Sequence, residues 1–123
     1  TETEAATGTL QQPGEIGHGN FGGKSKVTVI NDSPYKLRIT LEGPESKEVI
    51  IEKCEVCHVY SIIGPLFCPE EDRPSVDIML KPGTYEVTVS TAEPTDVRPL
   101  AGSWTLEPNT WYGFCYYVLK KLA

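Results

Sequence analysis

From Lys24 onward the chain alternates apolar and polar residues with a period of two. Val27 and Val29 alternate with Lys26 and Thr28, and Tyr35, Leu37, Ile39 and Leu41 with Lys36, Arg38, Thr40 and Glu42. Val76, Ile78 and Leu80 repeat the pattern, as do Tyr85, Val87 and Val89 against Glu86, Thr88 and Ser90. Successive side chains of a strand point to opposite faces, so this rhythm marks sheets with one dry and one wet face. Val49-Ile50-Ile51, residues 59–63, and Trp104 with Leu106 predict shorter strands. Residues 111–119 are apolar on both faces, as a central strand requires.

Turn chemistry separates these runs. Asn31-Asp32-Ser33-Pro34, Gly43-Pro44-Glu45-Ser46, Lys81-Pro82-Gly83-Thr84 and Glu107-Pro108-Asn109-Thr110 all fall between them. The Pro-Gly order at 82–83 is that of a type II turn. No stretch has helical periodicity, and only Glu70-Glu71-Asp72 invites even one helical turn. The pattern predicts an all-β fold, an antiparallel sandwich or barrel of seven to eight strands.

Two regions break the rhythm. Residues 1–23 carry six glycines and few bulky apolar side chains beyond Leu10, Ile16 and Phe21. So little apolar surface does not offset the entropy of ordering, which predicts a flexible Gly-rich arm ahead of one domain over 24–123. Residues 54–74 hold three of the four cysteines, Gly64-Pro65, Cys68-Pro69 and the acidic trio Glu70-Glu71-Asp72. They predict the strand at 59–63 followed by a long pinned loop.

Charge narrows the partners. A net charge of −6, with eleven scattered Lys and Arg, gives no basic stripe for a nucleic-acid backbone and little attraction to anionic lipid. No apolar run approaches the roughly 18 residues of a membrane span. The chain starts at Thr1 and its single methionine is Met79, the pattern left by a cleaved signal peptide or by trimming. With an even cysteine count, secretion is the expectation.

The cysteines admit two chemistries. Cys54-x-x-Cys57 with Cys68 and Cys115 counts four zinc ligands, but the second C-x-x-C of a zinc ribbon is missing. A thioredoxin-like motif needs a helix after the C-x-x-C, and none is predicted. Structural disulfides are therefore expected, with no metal and no cofactor. Of the three pairings, Cys57 with Cys68 and Cys54 with Cys115 is favoured, since it ties the loop to the last strand. Cys54 with Cys68 and Cys57 with Cys115 stands close behind. Each link is expected to add about 2–4 kcal/mol.

No catalytic set emerges. Cys57 and His58 are neighbours whose side chains diverge in a strand. Glu70, Glu71 and Asp72 lack the spacing of a calcium loop and serve better as a candidate recognition loop. Trp104, Trp111, Tyr112, Tyr116 and Tyr117 raise a sugar-stacking platform, against the fact that large aromatics fill sandwich cores. Alternation puts Tyr112, Phe114 and Tyr116 on one face and Trp111 and Tyr117 on the other. Asn31-Asp32-Ser33 is an N-glycosylation sequon whose use Pro34 should reduce.

The order 27–30 with Asn31 and Tyr35, Gly43-Pro44-Glu45-Ser46, Cys54-x-x-Cys57, Cys68-Pro69, Lys81-Pro82-Gly83-Thr84-Tyr85 and Gly102-Ser103-Trp104-Thr105-Leu106 resembles a family of small secreted fungal elicitors. These proteins, as in the rice blast fungus, induce a hypersensitive response in plants. The likeness covers about residues 24–119. It implies a non-enzymatic effector perceived by a protein or membrane component at the plant cell surface, with no catalytic residue to carry over; a monomer is the expected state. The alternative function is a secreted module that binds cell-wall polysaccharide.

Overall fold

A computed structural model describes residues 8–60, 73–93 and 97–118. It is all-β, with no helix among the described residues. The strands are β1 (Gly8–Thr9), β2 (Gly14–His18), β3 (Ser25–Asn31), β4 (Leu37–Glu42), β5 (Ser46–Ile51), β6 (Ser75–Leu80), β7 (Gly83–Thr91), β8 (Leu100–Leu106) and β9 (Thr110–Tyr116). They form two sheets, in the orders β1-β8-β7-β4-β5 and β2-β9-β3-β6. Most neighbours are antiparallel, and β3–β9 and β1–β8 are parallel.

The alternating residues of β4 and β7 bury their apolar members and expose or half-expose the polar ones, and β3 buries Val27 and Val29 together with the polar Ser25 and Asn31 at its two ends. Val27, Val29, Leu37, Ile39, Leu41, Val87 and Val89 are inaccessible or nearly so and meet in one core. Burying a side chain of this size contributes about 1.5–3 kcal/mol. Trp104 of β8 reaches across to Phe114 of β9, ring centroids 5.5 Å apart, and so joins the two sheets. The indole N–H of Trp104 donates to the Gln11 carbonyl at 2.9 Å, so its burial leaves no stranded donor.

As expected for a central strand, β9 lies between β2 and β3. Its inner positions hold Tyr112, Phe114 and Tyr116, and Trp111 lies on the other face. Two expectations change. Tyr60 forms only an isolated bridge, its N–H donating to Val118 O at 2.8 Å, where a strand over 59–63 was expected; residues 61–63 lie outside the described ones. The flexible arm is the second, and its residues 1–7 also lie outside them.

From Gly8 the N-terminal segment is held. Leu10 is buried in the core, and β1 and β2 each add an edge strand to a sheet. Two glycines of the sandwich make room for it. A Cβ on Gly102 would stand 2.5 Å from Leu10 O, and one on Gly113 2.6 Å from Ile16 Cδ1. Asn109, at φ 53°, then fastens the next stretch. Its Oδ1 accepts from Phe21 N and Gly23 N at 3.0 and 2.9 Å, and its backbone carbonyl from Gly19 N. The ordering entropy is offset by long-range bonds to 102–113, partners that no local composition displays.

Tyr116 closes the core at the end of β9. Burial, and then the neighbouring Tyr35, pushes its phenol up to about 12. An unfolded phenol titrates near ~10, so the fold keeps a proton that the unfolded chain gives up. The contribution of this group is complete below pH ~10 and falls by about 1.4 kcal/mol per pH unit until the folded phenol ionises. Urea unfolding between pH ~10 and ~12 is therefore expected to lose stability less steeply, by that slope, in Tyr116→Phe than in the wild type.

Candidate functional site

One end of the sandwich gathers chain from five places: the end of β3, the end of β5, residues 52–60, the start of β6 and the end of β9. At their centre is Asn31-Asp32-Ser33, the turn that the sequence places between two strands. All three residues are buried, Asn31 and Ser33 at 0% exposure and Asp32 at 1%. The Asn31 carboxamide donates both hydrogens, to Tyr35 O at 2.8 Å and Glu52 O at 2.9 Å, and accepts from the Ser33 hydroxyl at 2.7 Å. Backbone bonds complete the junction. Asn31 N donates to Pro74 O, Asp32 N to Tyr116 O and Cys54 N to Ser33 O, at 2.8–3.0 Å.

The Asp32 carboxylate is the hub. Arg73 Nε donates to Oδ1 at 2.9 Å, with the Arg73 side chain itself only 19% exposed. The Tyr60 hydroxyl donates to Oδ2 at 2.6 Å. Cys57 Sγ lies 3.2 Å from Oδ1. A buried charge requires such pairing, since taking it out of water is costly. The bond to Asp32, followed by burial and the charge of Asp32, raises the Tyr60 phenol above its ordinary value. Tyr60 and Arg73 are the residues that flank 61–72, so one carboxylate clasps both ends of that segment. The expected recognition residues Glu70, Glu71 and Asp72, and Cys68, lie in it, outside the described residues.

The cysteine pairing differs from the favoured one. Cys54 is bonded to Cys57, and Cys115 is also in a disulfide, its partner outside the described residues. Neither favoured link, Cys54 with Cys115 nor Cys57 with Cys68, is made. The reason is local: residues 54–57 form a turn in which Cys57 N donates to Cys54 O at 3.3 Å. That turn brings the two Cα atoms to 5.4 Å, inside the range of a disulfide. The C-x-x-C is a bonded pair, not two metal thiolates.

Around the clasp lies an exposed rim. Val56, at the tip of the 54–57 turn, is 63% exposed, and Tyr117 is 39% exposed. Tyr60 packs its ring against His58 (centroids 4.7 Å) and edge-on against Tyr117 (5.8 Å). The sugar-platform aromatics do not assemble. Trp104, Tyr112 and Tyr116 are core residues. Trp111 is covered by Lys26 Nζ, 4.9 Å from its ring centre, and its N–H is spent on Thr28 Oγ1, which donates in turn to Asp77.

Asp32, Tyr60 and Arg73 are the site residues that sequence reasoning missed. A signal existed, since Arg73 is the single Lys or Arg between Lys53 and Lys81, beside an acidic run. No protein-family model matches the chain, and no curated protein or solved structure does.

The Asn31 amide has no hydrogen left for a glycan and no route to solvent, so folded protein secreted from yeast should carry none at Asn31 by peptide mass. Asn31→Ala strands two carbonyls and a hydroxyl and is expected to cost about 2–4 kcal/mol by urea unfolding. Asp32→Asn keeps the shape but leaves Arg73 without its counter-charge, an expected loss of about 2–4 kcal/mol. Amide exchange at Tyr60 should then quicken by about tenfold or more while Val27 and Val29 stay protected.

Proposed function

We propose that this chain is a secreted, non-enzymatic elicitor or effector perceived at the plant cell surface, and that it is read at the Asp32 end of the sandwich. The single observation that carries the reading is the clasp. A fully paired buried carboxylate holds Tyr60 and Arg73, the residues that flank 61–72; the Tyr60 ring meets His58 and Tyr117, and Val56 is exposed on the nearby 54–57 turn. Recognition needs side chains held in place before a partner arrives, because ordering them on binding weakens affinity. Apolar and aromatic residues ringed by polar ones are the usual anchors of such contacts. Disulfides at Cys54, Cys57 and Cys115 support an oxidising compartment. No helix among the described residues is long and apolar enough to cross a membrane.

The polysaccharide-binding alternative has less support, since three of its five aromatics are core and Trp111 lies under Lys26. Leaf infiltration tests the proposal. Micromolar wild-type protein is expected to elicit an oxidative burst and local cell death. Val56→Asp and Tyr117→Ala are expected to lose the response by about tenfold or more in dose while unfolding at the wild-type temperature, as hot-spot residues do. No response to the wild type, or full response to both variants, would overturn it.

A further inference from the structure

The Cys54–Cys57 bond has surroundings unlike those of a purely structural link. The two residues are three apart in sequence, so the bond restricts the unfolded chain least of any that these four cysteines allow. Cys54 is buried, whereas Cys57 is half-buried on a turn whose tip, Glu55 and Val56, is exposed. Cys57 is therefore the more accessible residue of the pair. Beside its sulfur, at 3.2 Å, stands Asp32 Oδ1. A disulfide sulfur carries no hydrogen to donate, so this contact is no hydrogen bond while the pair is oxidised. Reduction gives Cys57 an S–H already within reach of a buried acceptor.

The rest of the junction does not run through the bond. Cys54 N–Ser33 O, Tyr60 Oη–Asp32, Arg73–Asp32 and Tyr60 N–Val118 O are all made by other atoms. Opening the bond leaves them in place.

We propose that Cys54–Cys57 is a reversible redox site, reduced by an external dithiol at the Cys57 sulfur, with Asp32 stabilising the reduced form. The chemistry is thiol–disulfide exchange. A thiolate of the dithiol attacks Cys57 Sγ, the Cys54–Cys57 bond breaks, and Cys54 leaves as a thiolate and takes up a proton. The dithiol's second thiolate then attacks its own first sulfur, closes its own disulfide and releases Cys57, which takes the second proton and donates it as a hydrogen bond to Asp32. Two electrons and two protons pass from the dithiol to the protein. Arg73, on the same carboxylate oxygen, offsets the negative charge that the incoming thiolate meets. Next to a carboxylate a Cys57 thiol is a poor nucleophile, so the pair accepts electrons rather than passing them on. The missing helix, which argues against a thioredoxin-like catalyst, does not argue against this role. The inference stands apart from the recognition proposal.

The test is a titration of the native protein in mixtures of reduced and oxidised dithiothreitol, trapped with iodoacetamide and mapped by peptide mass. Cys54 and Cys57 are expected to take label at a reduced-to-oxidised ratio about tenfold or more below that which opens the Cys115 bond. The near-ultraviolet circular dichroism of the buried tryptophan should be retained, and oxidised dithiothreitol should restore the bond. Opening of Cys115 at the same ratio or earlier, or loss of the folded spectrum as Cys54 and Cys57 are labelled, would overturn the proposal. In Asp32→Asn the ratio needed should rise about threefold or more, because an amide accepts more weakly from the thiol than a carboxylate; an unchanged ratio removes Asp32 from the account. Should that variant not fold, the site of attack decides. Brief treatment of the native protein with a monothiol, trapped with iodoacetamide and mapped by peptide mass, is expected to leave the mixed disulfide on Cys57 and the label on Cys54, and a mixed disulfide mainly on Cys54 rejects attack at Cys57.

Discussion

The buried carboxylate of Asp32 is the constraint on which one whole end of the protein depends. A charge at 1% exposure persists only where its partners repay desolvation, and here they come from residues far apart in the chain. Arg73 and Tyr60 bond to it directly, and its own N–H ties it to Tyr116 at the end of β9. Asn31 and Ser33 do the same work on either side, binding the Tyr35 and Glu52 carbonyls and the Cys54 N–H. The result is a polar knot at the mouth of an apolar sandwich. Such a network is worthwhile only when every member is satisfied, and no buried side-chain nitrogen or oxygen among the described residues lacks a partner.

The knot divides labour with the core. Trp104, Leu37, Ile39, Val87 and Val89 hold the sheets together without direction, by area removed from water. The knot adds direction, fixing where the chain leaves one sheet and enters the other. It also governs function in the proposed reading, because the rim of Val56, His58, Tyr60 and Tyr117 is carried by the segments it ties. The Cys54–Cys57 bond sits on this knot without carrying it, which is why a redox change there can leave the fold standing.

Much of the fold was legible because period-two alternation is a local property with a physical reading. Strands β3, β4, β6 and β7 fall where the alternation lies, and the inner and outer faces of β9 divide as expected. The N-terminal segment was not legible. Its composition is that of an arm, and its order rests on Asn109, Gly102 and Gly113, about 90 residues away, whose fit is seen only after the sandwich forms. Asn31-Asp32-Ser33-Pro34 was legible as a turn, and the burial of Asn31, Asp32 and Ser33 was not. Short polar residues before a proline usually mean a solvated turn, and the same side chains also serve as compact donors and acceptors for buried loops.

The chain by itself determined an all-β fold, where most strands run, and the absence of helical periodicity, since each follows from the spacing of neighbours a few residues apart. The tertiary structure decided that Cys54 meets Cys57, that the sequon is buried, and that Asp32 ties one end of the sandwich together. Those answers depend on atoms brought within about 3 Å by pairings across the sheets, and hydrogen bonds and ion pairs act only at that range. Glu70, Glu71 and Asp72, a charge run in the sequence, lie outside the described residues. Asp32, a single carboxylate among polar neighbours, became the organising residue because folding removed its water and supplied Arg73 and Tyr60 in its place.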